Sequence, residues 1–239
     1  MLDDISIFGE SNSSRELDNM IIYHGSPNKI KPMYGKGNKQ CDYGLAFYCT
    51  EDEHQAKLWA VSKNGLGYVY EYSIDTEGLR VLKIDENNVL LWIAILMDNR
   101  ELSDLSTTGE VNLSLFIKKY LTVDVNDYDI IIGYRADDSY FKFATSFIEG
   151  VLTYDYLVKS VKLGNLGYQV AIKSEEAFNR LTLMNSYFLQ SHELKNEYYK
   201  RDLLARNTYV DYERKVAYDR IRLKNKVKDV YSFLSEEDE

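Results

Sequence analysis

The chain changes character once along its length. Up to about residue 185, short apolar stretches alternate with turn-forming residues. From Ser186 to Glu239 there is neither glycine nor proline, and strong helix formers run throughout. Glycine and proline are the residues that most disfavour a helix interior, so this stretch predicts a helical tail rather than more sheet. Leu203, Leu204, Val216, Ile221 and Val230 give that tail apolar positions with which to fold back or to meet a partner. Three segments follow: a polar lead-in over 1–19, one domain over 20–185, and a helical C-terminal extension over 186–239. A chain of 239 residues is long enough for one sizeable core with an appendage.

Within the domain, Met20 to Tyr23 reads as a strand that runs into the turn His24-Gly25-Ser26-Pro27. A glycine- and lysine-rich loop over Lys31 to Gln40 comes next. Tyr48 closes the following strand, and Thr50 with Glu53 has the spacing of a capping box, so a helix is expected to start there. Ala56, Trp59 and Ala60 share one face of that helix. Tyr68, Tyr70 and Tyr72 alternate with other residues in the period of a strand with one buried face. Leu79 to Ile84, Asp129 to Gly133 and Tyr168 to Ile172 are further strands. Helices are predicted over Val89 to Met97, around Leu113 to Leu121, and over Ser174 to Met184. Strands and helices alternate too irregularly for a doubly wound sheet. The expected fold class is therefore α+β, with two small antiparallel sheets in a split core, helices around them and a ligand cleft between them.

The net charge of −9 argues against a protein held to nucleic acid by bulk electrostatics. The longest apolar run, Val89 to Met97, falls far short of the roughly 20 residues a bilayer needs. No leader pattern opens the chain, so a cytoplasmic protein with no membrane partner is expected. Cys41 and Cys49 have neither CxxC spacing nor a neighbouring histidine cluster, so neither a zinc site nor a disulfide scaffold is expected, and no metal is needed.

Three features suggest chemistry. His24-Gly25-Ser26 ends the first strand with an imidazole able to bond a hydroxyl and a glycine whose bare backbone can pair with an amide. Tyr48 at a strand end and Trp59 on the next helix can clasp a flat ring; both serve equally well as core aromatics. Gln169 lies on a late strand, where it can orient a ligand but cannot ionise. Asp137 and Asp138 can act as an auxiliary acid pair or cap a turn. Arg135 can meet a phosphate or make a surface salt bridge. Lys29, Lys31, Lys36 and Lys39 form a basic loop that can border a ligand site or simply face solvent.

Taken together, these residues resemble the ADP-ribosyltransferase superfamily, in the branch of poly(ADP-ribose) polymerases and diphtheria-type toxins. That branch pairs a His-Gly-Ser/Thr motif with a glycine shortly before a strand tyrosine and a second aromatic on the next helix. Here these are His24-Gly25-Ser26, Gly44 to Tyr48, and Trp59. A closer resemblance is to an uncharacterised bacterial family placed in that superfamily, of the domain of unknown function 3990 type. It rests on Asp42 to Thr50 continuing to Ala56-Lys57-Leu58-Trp59-Ala60, on Asp129 to Asp138, and on Gly150 to Leu181, and it covers about residues 20 to 183.

The resemblance implies an NAD-dependent mono-ADP-ribosyltransferase, with NAD as co-substrate and a protein or nucleic-acid acceptor. His24, Tyr48 and Gln169 would be catalytic, and His24, Gly25, Ser26, Tyr48 and Trp59 would hold NAD. It also implies a toxin or anti-phage effector, with an antitoxin or other protein partner on the C-terminal helices. Gln169 falls where the branch usually carries a glutamate. The alternative is therefore a weak or inactive module that binds NAD or ADP-ribose.

Overall fold

The computed structural model describes residues 19–100, 105–136, 138–163 and 167–235, the side chains of 138–140 and 225–235 excepted. The protein is mixed α/β. Among the described residues there are two sheets and seven α-helices, in the order β1 (Asn19–Ser26), β2 (Phe47–Cys49), α1 (Glu53–Val61), β3 (Leu66–Asp75), β4 (Val81–Lys83), α2 (Val89–Asn99), α3 (Thr107–Tyr120), β5 (Ile130–Tyr134), α4 (Asp138–Ile148), α5 (Tyr154–Val161), β6 (Tyr168–Ile172), α6 (Glu175–Asn179), β7 (Leu181–Gln190) and α7 (His192–Ser235).

One sheet is three-stranded and antiparallel, ordered β1-β3-β7; the other is four-stranded, ordered β2-β6-β5-β4. The expectation of two antiparallel sheets needs one correction: β4 runs parallel to β5. Parallel neighbours require a long crossover, and α2 and α3 supply it between Lys83 and Ile130. The sheets face one another across a core of Met20, Ile22, Tyr70, Tyr72 and Ile74 from one and Cys49, Ile130, Ile132, Val170 and Ile172 from the other. Strand alternation then turns Ile131 and Ala171 to the opposite face, where α2 and α4 bury them with Ile93, Leu96 and Phe143. The outer face of the three-stranded sheet is covered by α1 through Ala56, Ala60 and Val69.

Two other expectations change. The cap of α1 is Asp52, whose carboxylate accepts from the His54 and Gln55 amides; Thr50 instead donates its hydroxyl to the Tyr168 carbonyl. A short polar side chain two residues nearer the helix meets its open amides directly. The predicted helix over Ser174 to Met184 stops at Asn179, and Leu181–Gln190 is β7. The amides and carbonyls along the open side of β3 need partners, and β7 pairs with them from Leu66 to Ile74. Ser186 to Gln190 thus belong to the sheet.

The helical tail begins at His192, where the Ser191 hydroxyl accepts from the Leu194 amide. It folds back along the domain. Arg201 and Ala205 are buried, and Val216 enters the large helical core. Tyr209 shares a 2.7 Å hydroxyl contact with Ser146. Lead-in residues 1–18 lie outside the described residues, and no described helix is long and apolar enough to cross a membrane.

Candidate functional site

β1 and β2 belong to different sheets and touch where those sheets part. Tyr23 exchanges backbone hydrogen bonds with Thr50 at 2.7 and 2.9 Å. The amide and carbonyl of residues two apart in a strand point the same way, so those of Gly25 also turn away from β3. A side chain at Gly25 is excluded, because its Cβ would stand 1.9 Å from the Ala56 carbonyl oxygen. Glycine here lets α1 lie directly on β1.

His24 bridges the split by setting Nδ1 2.7 Å from the Tyr48 carbonyl oxygen and stacking on Phe47 at 4.6 Å. A carbonyl can only accept, so Nδ1 carries the proton and Nε2 is left as an acceptor. Burial pushes the imidazole pKa down, against the pull of the Tyr48 carbonyl, and favours this neutral form. The Tyr48 hydroxyl closes the preceding loop: it donates to the Gly44 carbonyl at 2.6 Å and accepts from the Tyr43 amide at 3.1 Å. What Tyr48 offers a ligand is therefore its ring.

Beside that ring lies a cleft of about 370 Å³. Tyr48, Trp59, Arg135 and Gln169 line it, which brings together four of the residues singled out in the sequence. His24 lies on the other side of Tyr48, in a separate cavity of about 320 Å³ bordered by Lys31, Tyr34, Lys36 and Phe47. Strand alternation is the reason: Phe47 and Tyr48 point to opposite faces of β2, and His24 packs on the Phe47 face. A larger open trough of about 770 Å³ runs past Lys39, Asp98, Asp124 and Lys173 and contains none of the predicted catalytic residues.

The indole of Trp59 is not bare. The Arg135 guanidinium sits 4.3 Å from its ring centroid, a cation–π contact. The indole N–H is buried without a hydrogen-bond acceptor among the described residues. Ser26 is buried and its hydroxyl accepts from the Asn28 amide, so it shapes the turn after β1. Asp137 lies outside the described residues; of Asp138 only the backbone, at the start of α4, is described.

Three cleft residues carry no signal that marked them in the sequence. Asp42 is buried and binds Arg100 through Oδ1 at 3.2 Å, while Oδ2 accepts from the Ala136 amide and from Gln169. Burial pushes the Asp42 carboxyl above its ordinary range, and Arg100, the Ala136 amide, Gln169 and Arg135 pull the other way. Tyr198 reaches the cleft from α7, where Arg201 covers its ring and also donates to the Gln55 side chain at 2.6 Å. Asp42 opens a stretch quoted for its family resemblance but has no role of its own there, Arg100 follows a helix read as core, and Tyr198 is one of many tyrosines in the tail.

The fold and cleft thus define a mixed α/β protein whose two sheets part beside an aromatic cleft lined by two arginines and a buried aspartate. The chain belongs to the family described as Protein of unknown function (DUF3990), whose model matches residues 20–183. No curated protein and no solved structure matches it. Tyr198 and the rest of α7 lie beyond the matched region, so this chain completes the cleft with a residue outside the family segment.

Proposed function

We propose that the protein is an NAD-dependent mono-ADP-ribosyltransferase of the ADP-ribosyltransferase superfamily, with the dinucleotide held along the split between β1 and β2. The observation that carries this reading is the cleft that gathers the Tyr48 ring, Trp59, Arg135 and Gln169, with the Gly25 backbone at the junction of β1 and β2 and the neutral His24 imidazole on the other side of Tyr48. Each suits one part of the ligand. The Gly25 amide and carbonyl suit a carboxamide, Nε2 of His24 suits a ribose hydroxyl, and the Tyr48 ring suits the nicotinamide face. Arg100 and Arg135 favour a ligand with phosphate charge.

When bound, NAD supplies the bond that breaks, with nicotinamide leaving as the acceptor's nucleophile joins the ribose. The chain's part is to orient the ring and to face the sugar with acceptors as positive charge grows there. The experiment is direct. Purified protein is incubated with labelled NAD and a cell lysate, with and without nuclease, beside His24→Ala. Nicotinamide release or labelling that His24→Ala abolishes is the expected result, and the nuclease arm separates a nucleic-acid acceptor from a protein one. Wild-type protein that neither releases nicotinamide nor labels anything removes the transferase reading.

A second reading is favoured by Gln169, whose amide cannot serve as a base. Here the protein binds NAD or ADP-ribose without turnover, and calorimetry shows heat of binding with no nicotinamide released.

A further inference from the structure

Gln169 does not act alone on β6. Its buried amide nitrogen donates to Asp42 Oδ2 at 2.7 Å and to the Tyr134 carbonyl at 3.2 Å. Both partners accept, so both amide hydrogens are committed, and the reverse orientation would set oxygen against oxygen. Oε1 accepts no bond from another described residue, and Gln169 lines the cleft. Asp42 in turn receives three donors: Gln169, the Ala136 amide at 2.8 Å and Arg100 at 3.2 Å. Donors on every side, and an opposite charge among them, describe a carboxylate rather than a neutral acid.

We propose that Asp42 is the positioning residue for Gln169, the two forming one unit in which a buried carboxylate locks the amide with Oε1 toward the cleft. A hydrogen bond to an anion also draws electron density toward Oε1, because linked hydrogen bonds polarise one another. The unit offers the cleft a fixed, strengthened acceptor for a sugar hydroxyl and for positive charge developing on the sugar. It supplies orientation and potential while taking no proton. The ligand's identity rests on the NAD reading; the pairing of Asp42 with Gln169 does not.

The pairing has its own consequence. In Gln169→Glu two carboxylates face one another where the 2.7 Å bond now stands, and one must hold a proton. The shared proton raises a folded-state pKa. Stability is then kept at low pH and lost as pH rises through that raised value.

Melting temperatures of the wild type and both single variants are measured from about pH 5 to about pH 8. The same proteins are tested for NAD binding by calorimetry and for nicotinamide release. The expected result is a melting temperature for Gln169→Glu that falls with rising pH relative to wild type. Asp42→Asn should lose about tenfold in nicotinamide release or, in a protein without turnover, in NAD affinity. A Gln169→Glu profile parallel to wild type overturns the pairing. An Asp42→Asn variant that matches wild type toward NAD overturns the positioning role. A folded wild type indifferent to NAD ends the transferase and NAD-binding readings instead, and the pH profile still decides the pair.

Discussion

His24 shows how much a single contact fixes. Its ring nitrogen on the Tyr48 carbonyl selects the tautomer, ties two sheets together and leaves the second nitrogen as an acceptor. Burial lowers its pKa, so the folded protein resists binding a proton that the unfolded chain accepts near the ordinary value of about 6.5. The sign follows: His24 contributes stability that is present above about pH 6.5 and is lost as pH falls toward the depressed folded value. His24→Phe keeps a ring against Phe47 and removes the titration. Urea midpoints at about pH 7.5 and about pH 5.5 should therefore differ less in the variant than in wild type, and equal differences in the two proteins would reject this account. The orphaned Tyr48 carbonyl lowers the variant's stability at both pH values without altering that comparison.

At the scale of elements, α7 is the part whose sequence promised least about its place. It is strongly polar, yet it lies along the domain because a few of its positions find partners. Arg201 bonds Gln55 on α1, Ala205 is fully buried, Tyr209 meets Ser146 on α4, and Val216 joins the helical core. The apolar contacts supply most of the docking energy, since the exposed pair of His54 with Glu197 contributes little in water. Val216→Asp places an unpaired charge in that core and should cost about 3 kcal/mol of stability, read from denaturant unfolding. Leu223→Asp, at an exposed position about two turns further along the same helix, is the control and should change stability by less than about 0.5 kcal/mol. Equal effects at the two sites would show that α7 is not docked as described.

At the scale of the whole molecule, the two sheets, the helices on their outer faces and α7 are joined by continuous cores. Trp92 lies in the helical core with Val216, and Trp59 stands at the cleft beside α7. Unfolding that separates α7 from the sheets would disturb both indoles. Urea transitions followed by tryptophan fluorescence and by far-ultraviolet circular dichroism should therefore coincide. A helical transition well displaced from the fluorescence one would mean that α7 unfolds as a separate unit.

Several elements were legible from residue order alone. Period-two tyrosines marked β3, the apolar run marked α2, and the absence of glycine and proline marked α7, because each pattern reports a local geometry. Leu181 to Gln190 was not legible, since those residues suit helix and strand alike and the open side of β3 settles the matter. The cleft divides in the same way. Tyr48, Trp59, Arg135 and Gln169 could be singled out because aromatic, cationic and amide side chains have recognisable uses, and tertiary structure gathers them around one space. Asp42, Arg100 and Tyr198 could not, because their roles come from partners distant in sequence: Asp42 meets Gln169 across 127 positions. By itself, the sequence determined what each side chain can donate, accept or bury and where the backbone can turn. Only the tertiary structure decided that His24 and Gln169 stand on opposite sides of Tyr48, since alternation along β2 sends neighbouring side chains to opposite faces of the sheet.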